Sequence, residues 1–211
     1  MAVEAEKMNR RALAKERRRQ QLIDATIKCI SKKGLGSTTL ADVAGEAGLS
    51  QGIVNLHFNS KDNLLAETLK FLAEDYDEQF MRALEQSAPE AEKKLLALME
   101  VDLKPAVCDR KKLAVWFAFW GEVKSVPTYQ KICAEYEDKY DDIVFELANT
   151  IIVQGGYTNI NAQTVTDTLS SLTDGLWLAC LIYPKTFNRA AAFNAVYSYL
   201  QAVFPDHYKN R

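Results

Sequence analysis

Gly34 and Gly48, with the capping residues Thr39, Ser50 and Ser60 set around them, leave the chain room for two short helices between two longer ones. Glycine ends a helix readily because it enters the left-handed region without a Cβ penalty, and Ser or Thr starts one by accepting a hydrogen bond from a free N–H. From Glu16 to Lys33 the stripe Leu22, Ile23, Thr26, Ile27 and Ile30 predicts a helix with one apolar face, closed by Gly34. "TLADVAGEA" then opens on Thr39, with Asp42 three residues on, and stops at Gly48. Ser50 caps "QGIVNLHF", and Ser60 caps "KDNLLAETLKFLAEDYDEQFMRALEQ".

The pair from Leu40 to Asn59 has the spacing of a helix-turn-helix. Val43, Ala47, Leu49 and Val54 are placed to pack its two helices together, Ala44 is small where they cross, and Gly48 supplies the left-handed turn. Gln51, Gly52, Asn55 and Leu56 are left facing outward. Gly52 weakens the second helix but admits close approach by a phosphate or a base edge. An ordinary helical corner has the same pattern, so charge has to arbitrate. Residues 1–61 hold eleven Lys and Arg against six Asp and Glu, a net +5, whereas residues 62–211 carry −7. The basic stretch "RRALAKERRR" suits a polyanion, although a solvated helical face also reads this way.

The rest of the chain carries helical periodicity without sustained period-two alternation, and its five prolines fall near breaks, so the fold class is all-α. At 211 residues and 48% hydrophobic, the chain suffices for a sizeable core. No apolar run approaches the roughly 18 residues of a membrane span, and the charged N-terminus lacks a signal peptide's apolar segment. The expected compartment is the cytoplasm, with no membrane partner. Cys29, Cys108, Cys133 and Cys180 form no CxxC pair and have no neighbouring histidines, which predicts buried thiols rather than a metal site.

"TTLADVAGEAGLSQGIVNLHFNSKDNLL" resembles the DNA-binding region of the TetR family of bacterial repressors. That resemblance implies a three-helix DNA-binding unit over residues 1–59 and a larger helical effector-binding and dimerisation domain over 60–211. It also implies that Thr39, Ser50 and Lys61 hold phosphates while Gln51, Gly52 and Asn55 face the major groove of double-stranded DNA. Asn55 stands where the family usually has tyrosine; it can bond adenine bidentately but lacks the tyrosine's reach to phosphate. His57 is read as a backbone-contacting or packed residue rather than a metal ligand.

"LAVWFAFWGEVKSVPTYQKICAEYEDKYDDIV" followed by "LTDGLWLAC" resembles the choline-responsive BetI branch of that family, which represses genes for making glycine betaine. Trp116 and Trp120 are four apart with Phe117 and Phe119 beside them, and Tyr129, Tyr136 and Tyr140 follow at spacings of seven and four. Asp174 and Trp177 are neighbours on one helical face. Rings such as Trp116, Phe119, Trp120, Tyr136 and Trp177 around Asp174 would make an aromatic cage with one acid, suited to a quaternary ammonium ion. An aromatic stripe is equally what a core looks like, and Asp174 could instead be protonated, paired with lysine, or bonded to a helix N-terminus or a tyrosine.

Leu169, Leu172, Leu176, Ala179 and Tyr183, then Phe193, Tyr197, Leu200 and Phe204, carry more apolar surface than one helix needs. The resemblance assigns such a terminal pair to a homodimer matched to a palindromic operator; closing the monomer's own core is the alternative. An enzyme is disfavoured: His57 and His207 are the only histidines, and no nucleophile elbow, metal cluster or phosphate loop accompanies Asp174. No catalytic residue, cofactor or metal is expected. A regulator of an efflux or lipid-related gene with a hydrophobic effector is the second regulatory reading.

Overall fold

The computed structural model describes residues 2–209, with side chains from Asn9 onward. Helices account for all of the regular structure among these residues: α1 (Ala2–Lys33), α2 (Leu40–Ala47), α3 (Gln51–Phe58), α4 (Lys61–Gln86), α5 (Ala91–Asp102), α6 (Arg110–Trp120), α7 (Pro127–Gly155), α8 (Ala162–Ile182) and α9 (Arg189–Val203). None of them is long and apolar enough to cross a membrane. The chain divides into two compact units, residues 1–72 with 114–130, and residues 73–113 with 131–211.

In the first unit, α1 starts well before the Glu16 expected from the apolar stripe. The stripe marks only the packed part of the helix; the preceding Ala, Glu, Lys and Arg favour helix without burial. Gly34, at φ +83°, ends it, its N–H donating to the Ile30 carbonyl at 2.8 Å. Thr39 and Asp42 form the full capping box of α2, and Gly48 closes that helix at φ +65°. Ser50 has the extended backbone of an N-cap, yet its hydroxyl makes no cap hydrogen bond, contrary to expectation. Ser60 does cap α4, its Oγ accepting from the Asn63 N–H at 3.1 Å. Val43, Ala44, Ala47 and Val54 join Leu22, Ile23 and Phe58 in one buried cluster that fixes α3 against α1 and α2. Each fully buried large side chain here is worth about 1.5–3 kcal/mol.

The second unit is built around Phe80, Leu95, Leu98, Tyr140, Val144, Leu169, Leu200 and Phe204, drawn from α4, α5, α7, α8, α9 and the segment after α9. Asn161 and Asn188 cap α8 and α9 by accepting from the N–H of Thr164 and Ala191, both at 3.0 Å. The terminal stripes divide in their use. Leu169, Leu200 and Phe204 are buried within this unit, whereas Tyr183 is 61% exposed, as are Leu178 and Ile182 outside the stripes at 42% and 54%. Cys29, Cys108 and Cys180 are buried as expected, but Cys133 is only half-buried.

Candidate functional site

In the first unit the outward face of α3 carries Gln51, Gly52, Asn55 and Leu56, all exposed, while Val54 and Phe58 are buried beneath them. A Cβ on Gly52 would meet only Ser50 Oγ, at 3.7 Å, so the fold itself does not require glycine there. The Ser50 hydroxyl, unused as a cap, lies beside this face. Thr39 is exposed; its hydroxyl accepts from the Asp42 N–H at 3.1 Å and donates to Asp42 Oδ2 at 2.9 Å. The Lys33 ammonium 2.6 Å away, followed by Thr39, holds the Asp42 carboxyl down at about 2. Lys61 Nζ donates to the Gly36 carbonyl at 3.3 Å. His57 is half-buried, and burial first, then Lys15 and Arg18, lower its pKa against the opposing pull of Glu16.

The second unit centres on a residue that sequence reasoning missed. Asp102, the last residue of α5, is 1% exposed and has no lysine or arginine partner among the described residues. Tyr76 of α4 donates to its Oδ1 at 2.8 Å, Tyr140 of α7 to its Oδ2 at 3.1 Å, and Thr173 of α8 to Oδ2 at 3.4 Å. Trp177 Nε1 donates to the Asp102 backbone carbonyl at 2.8 Å, which fixes the indole. The rings form one group: Tyr76 meets Trp177 edge-on at 5.7 Å, and Phe80 and Tyr140 lie 4.8 Å apart. Burial raises Asp102 to about 7 despite the three hydroxyls that favour its charged form, and nearby Asp174 adds to the rise.

Two further acids share this predicament. Asp174 is half-buried with no hydrogen-bond or ion-pair partner among the described residues; burial, then Asp141, raises it to about 6. Glu137 keeps over a third of its surface exposed, yet partial desolvation and the charges of Asp174, Asp141 and Asp138 lift it to about 7. Of the three acids, Glu137 is the most open to water. Asp141 is better placed, accepting from Ser170 Oγ at 2.7 Å. Tyr136 is half-buried and lines a small cleft with Tyr76, Phe80, Tyr140 and the ion pair of Lys139 and Asp77.

Of the residues expected to cage a cation, Tyr136, Asp174 and Trp177 thus fall in the second unit. Trp116, Phe119 and Trp120 fall in the first, where Phe119 is fully buried edge-on to Tyr129 at 4.9 Å and Trp120 meets Trp116 at a tilt at 6.1 Å and Phe117 edge-on at 5.0 Å. The signal for Asp102 lay in spacing: Leu95, Leu98, Met99 and Asp102 stand at i, i+3, i+4 and i+7, so the carboxyl interrupts an apolar helical face.

Residues 22–68 match the tetR family of bacterial regulatory proteins, and residues 91–205 match the C-terminal domain of BetI-type transcriptional repressors. The chain belongs to the TetR family. Its larger part is of the BetI type, and the family is one of transcriptional regulators that bind DNA and small-molecule effectors, not of enzymes. The chain is 31% identical to the HTH-type transcriptional regulator BetI of Burkholderia thailandensis, over 88% of this chain and 93% of that protein. It is 28% identical to the BetI of Paraburkholderia xenovorans, over 90% and 94%. A transcriptional regulator of Pseudomonas aeruginosa PAO1 has the same fold, with a TM-score of 0.81 at 25% identity over 92% of this chain and 95% of that one. A transcriptional regulator of Saccharomonospora viridis, solved in complex with choline, matches with a TM-score of 0.78 at 22% identity, over 87% and 95%; at that identity the likeness is one of fold.

Proposed function

We propose that this TetR-family protein is a homodimeric repressor that senses choline or a related quaternary ammonium compound and controls genes of glycine betaine synthesis or uptake. The observation that carries the reading is Asp102: a buried carboxyl among Tyr76, Tyr140 and Trp177, with no lysine or arginine paired to it among the described residues. A quaternary ammonium ion offers no N–H, so it is held by ring faces and by a full negative charge. Tyr76, Tyr140 and Trp177 supply the rings and Asp102, once deprotonated, the charge, with each ring contact worth about 0.5–2 kcal/mol. Asp174, Tyr136 and Trp177 belong to the same proposal, whereas for Trp116, Phe119 and Trp120 it rests on the sequence resemblance alone. The choline bound by the Saccharomonospora viridis regulator supports the ligand class.

For DNA, Gln51, Gly52 and Asn55 read base edges, Thr39, Ser50 and Lys61 hold phosphates, and His57 packs beside the backbone. The functional division falls between residues 59 and 60, and the exposed Leu178, Ile182 and Tyr183 of the α8 end supply dimer surface. Two residues separate α3 from α4, which carries Tyr76, so an effector that draws Asp102 away from Tyr76 acts on the helix that follows the DNA-reading one. The coupling is reciprocal, and DNA must disfavour the liganded state.

Calorimetric titration with choline and with its uncharged isostere 3,3-dimethylbutanol tests the effector. Saturable binding of choline alone is expected. Equal binding of both, or of neither, would overturn the cation reading and favour a regulator with a hydrophobic effector.

A further inference from the structure

Residues 9–18 of α1 are exposed without exception, so this part of the helix touches no core on any face. It holds Arg10, Arg11, Lys15, Arg17 and Arg18 against Glu16 alone. A helix that buries nothing needs another reason for such one-sided charge. Arg11, Lys15 and Arg18 stand at i, i+4 and i+7, which aligns them in one stripe about 10 Å long. None of the three forms a hydrogen bond or ion pair among the described residues. The next cation, Arg19, does: it pairs with Glu67 and Glu16 and lies 5.9 Å over the Phe58 ring at the end of α3. The root of the arm is therefore fixed against the DNA-reading helix. Lys15 and Arg18 are near enough to disfavour a proton on His57 of α3, which turns their stripe towards the side of α1 that α3 occupies.

We propose that the exposed stretch 9–18 of α1 is a second DNA contact, in which Arg11, Lys15 and Arg18 lay a basic stripe along the phosphate backbone beside the groove that α3 enters. The occupant is DNA rather than an acidic protein because the stripe is continuous with the helix-turn-helix. The contact rests on the DNA-binding reading above, and it is sequence-independent, adding affinity and salt dependence rather than base discrimination.

The test uses the full-length protein and a fluorescent mixed-sequence DNA duplex, with anisotropy measured over a KCl series of about 50 to 200 mM. Arg11→Gln/Lys15→Gln/Arg18→Gln keeps helix propensity, and circular dichroism checks the fold. Its plot of log affinity against log salt should be shallower by about 0.9 for each phosphate that the variant no longer neutralises, up to about 2.7 for each arm engaged. Lys93→Gln/Lys131→Gln/Lys185→Gln, an equal reduction of charge at exposed lysines of the second unit, should leave the slope unchanged. A stripe variant with the wild-type slope, or a control variant whose slope falls as much, would overturn the arm and leave the helix-turn-helix reading intact. A wild type that fails to bind the duplex would overturn both.

Discussion

The two units handle polar groups in opposite ways. In the first, Gln51, Asn55 and Ser50 are exposed over an apolar base of Val54 and Phe58, and Asp42 is held low by Lys33 and Thr39. In the second, Asp102, Asp174 and Glu137 are raised by burial and by neighbouring acids, and none of the three forms an ion pair among the described residues. On the proposed reading, the first surface has only to display its groups to DNA, so its fold can satisfy its internal bonds. On the same reading, a site for a small cation has to hold a charge out of water, a penalty that the ligand removes when it arrives.

The largest effect should come from removing that charge. A carboxyl raised from 3.8 to about 7 favours the folded state fully below about pH 4, and this contribution is lost as pH rises to about 7. Asp174 and Glu137 act in the same direction. Asp102→Asn should therefore flatten the fall in stability between pH 5 and pH 8, measured by urea unfolding, and weaken choline binding about tenfold or more. An unchanged pH slope would erase the contrast between the units.

Asn55→Ala probes the other side of the comparison. The residue is exposed, so stability should move by less than about 0.5 kcal/mol, while about 1–3 kcal/mol of discrimination disappears against the best duplex selected from a random library. A large drop in stability would mean that α3 is held by its outward face as well. The smallest effects separate two capping residues. Thr39→Ala breaks the capping box and should cost about 1 kcal/mol in a thermal melt, whereas Ser50→Ala, with no cap bond to lose, should cost only about a few tenths. Equal costs would show that Ser50 is as structural as Thr39.

The same contrast explains what was legible in the sequence. Thr39, Asp42, Gly48 and the outward face of α3 lie within one short stretch, where spacing alone fixes which residues meet. The all-helical class was legible for the same reason, because periodicity is local. Asp102 is joined to Tyr76, Tyr140 and Thr173 across 26, 38 and 71 residues of chain, and no local pattern encodes those meetings. The aspartate visible in the sequence was Asp174, which stands out beside Trp177; the acid that the tyrosines hold is on another helix. The missing cap at Ser50 was also out of reach, since the turn, not the residue type, decides where that hydroxyl points.

The most direct test is a calorimetric titration of the wild-type protein with choline at pH 5.5, 6.5 and 7.5, a range of about the width over which the raised acids ionise. If unpaired acids receive the ligand's charge, affinity should rise with pH across the series, with protons released on binding. Choline binding of constant affinity and no proton release would contradict it, and would return Asp102 and its rings to the core.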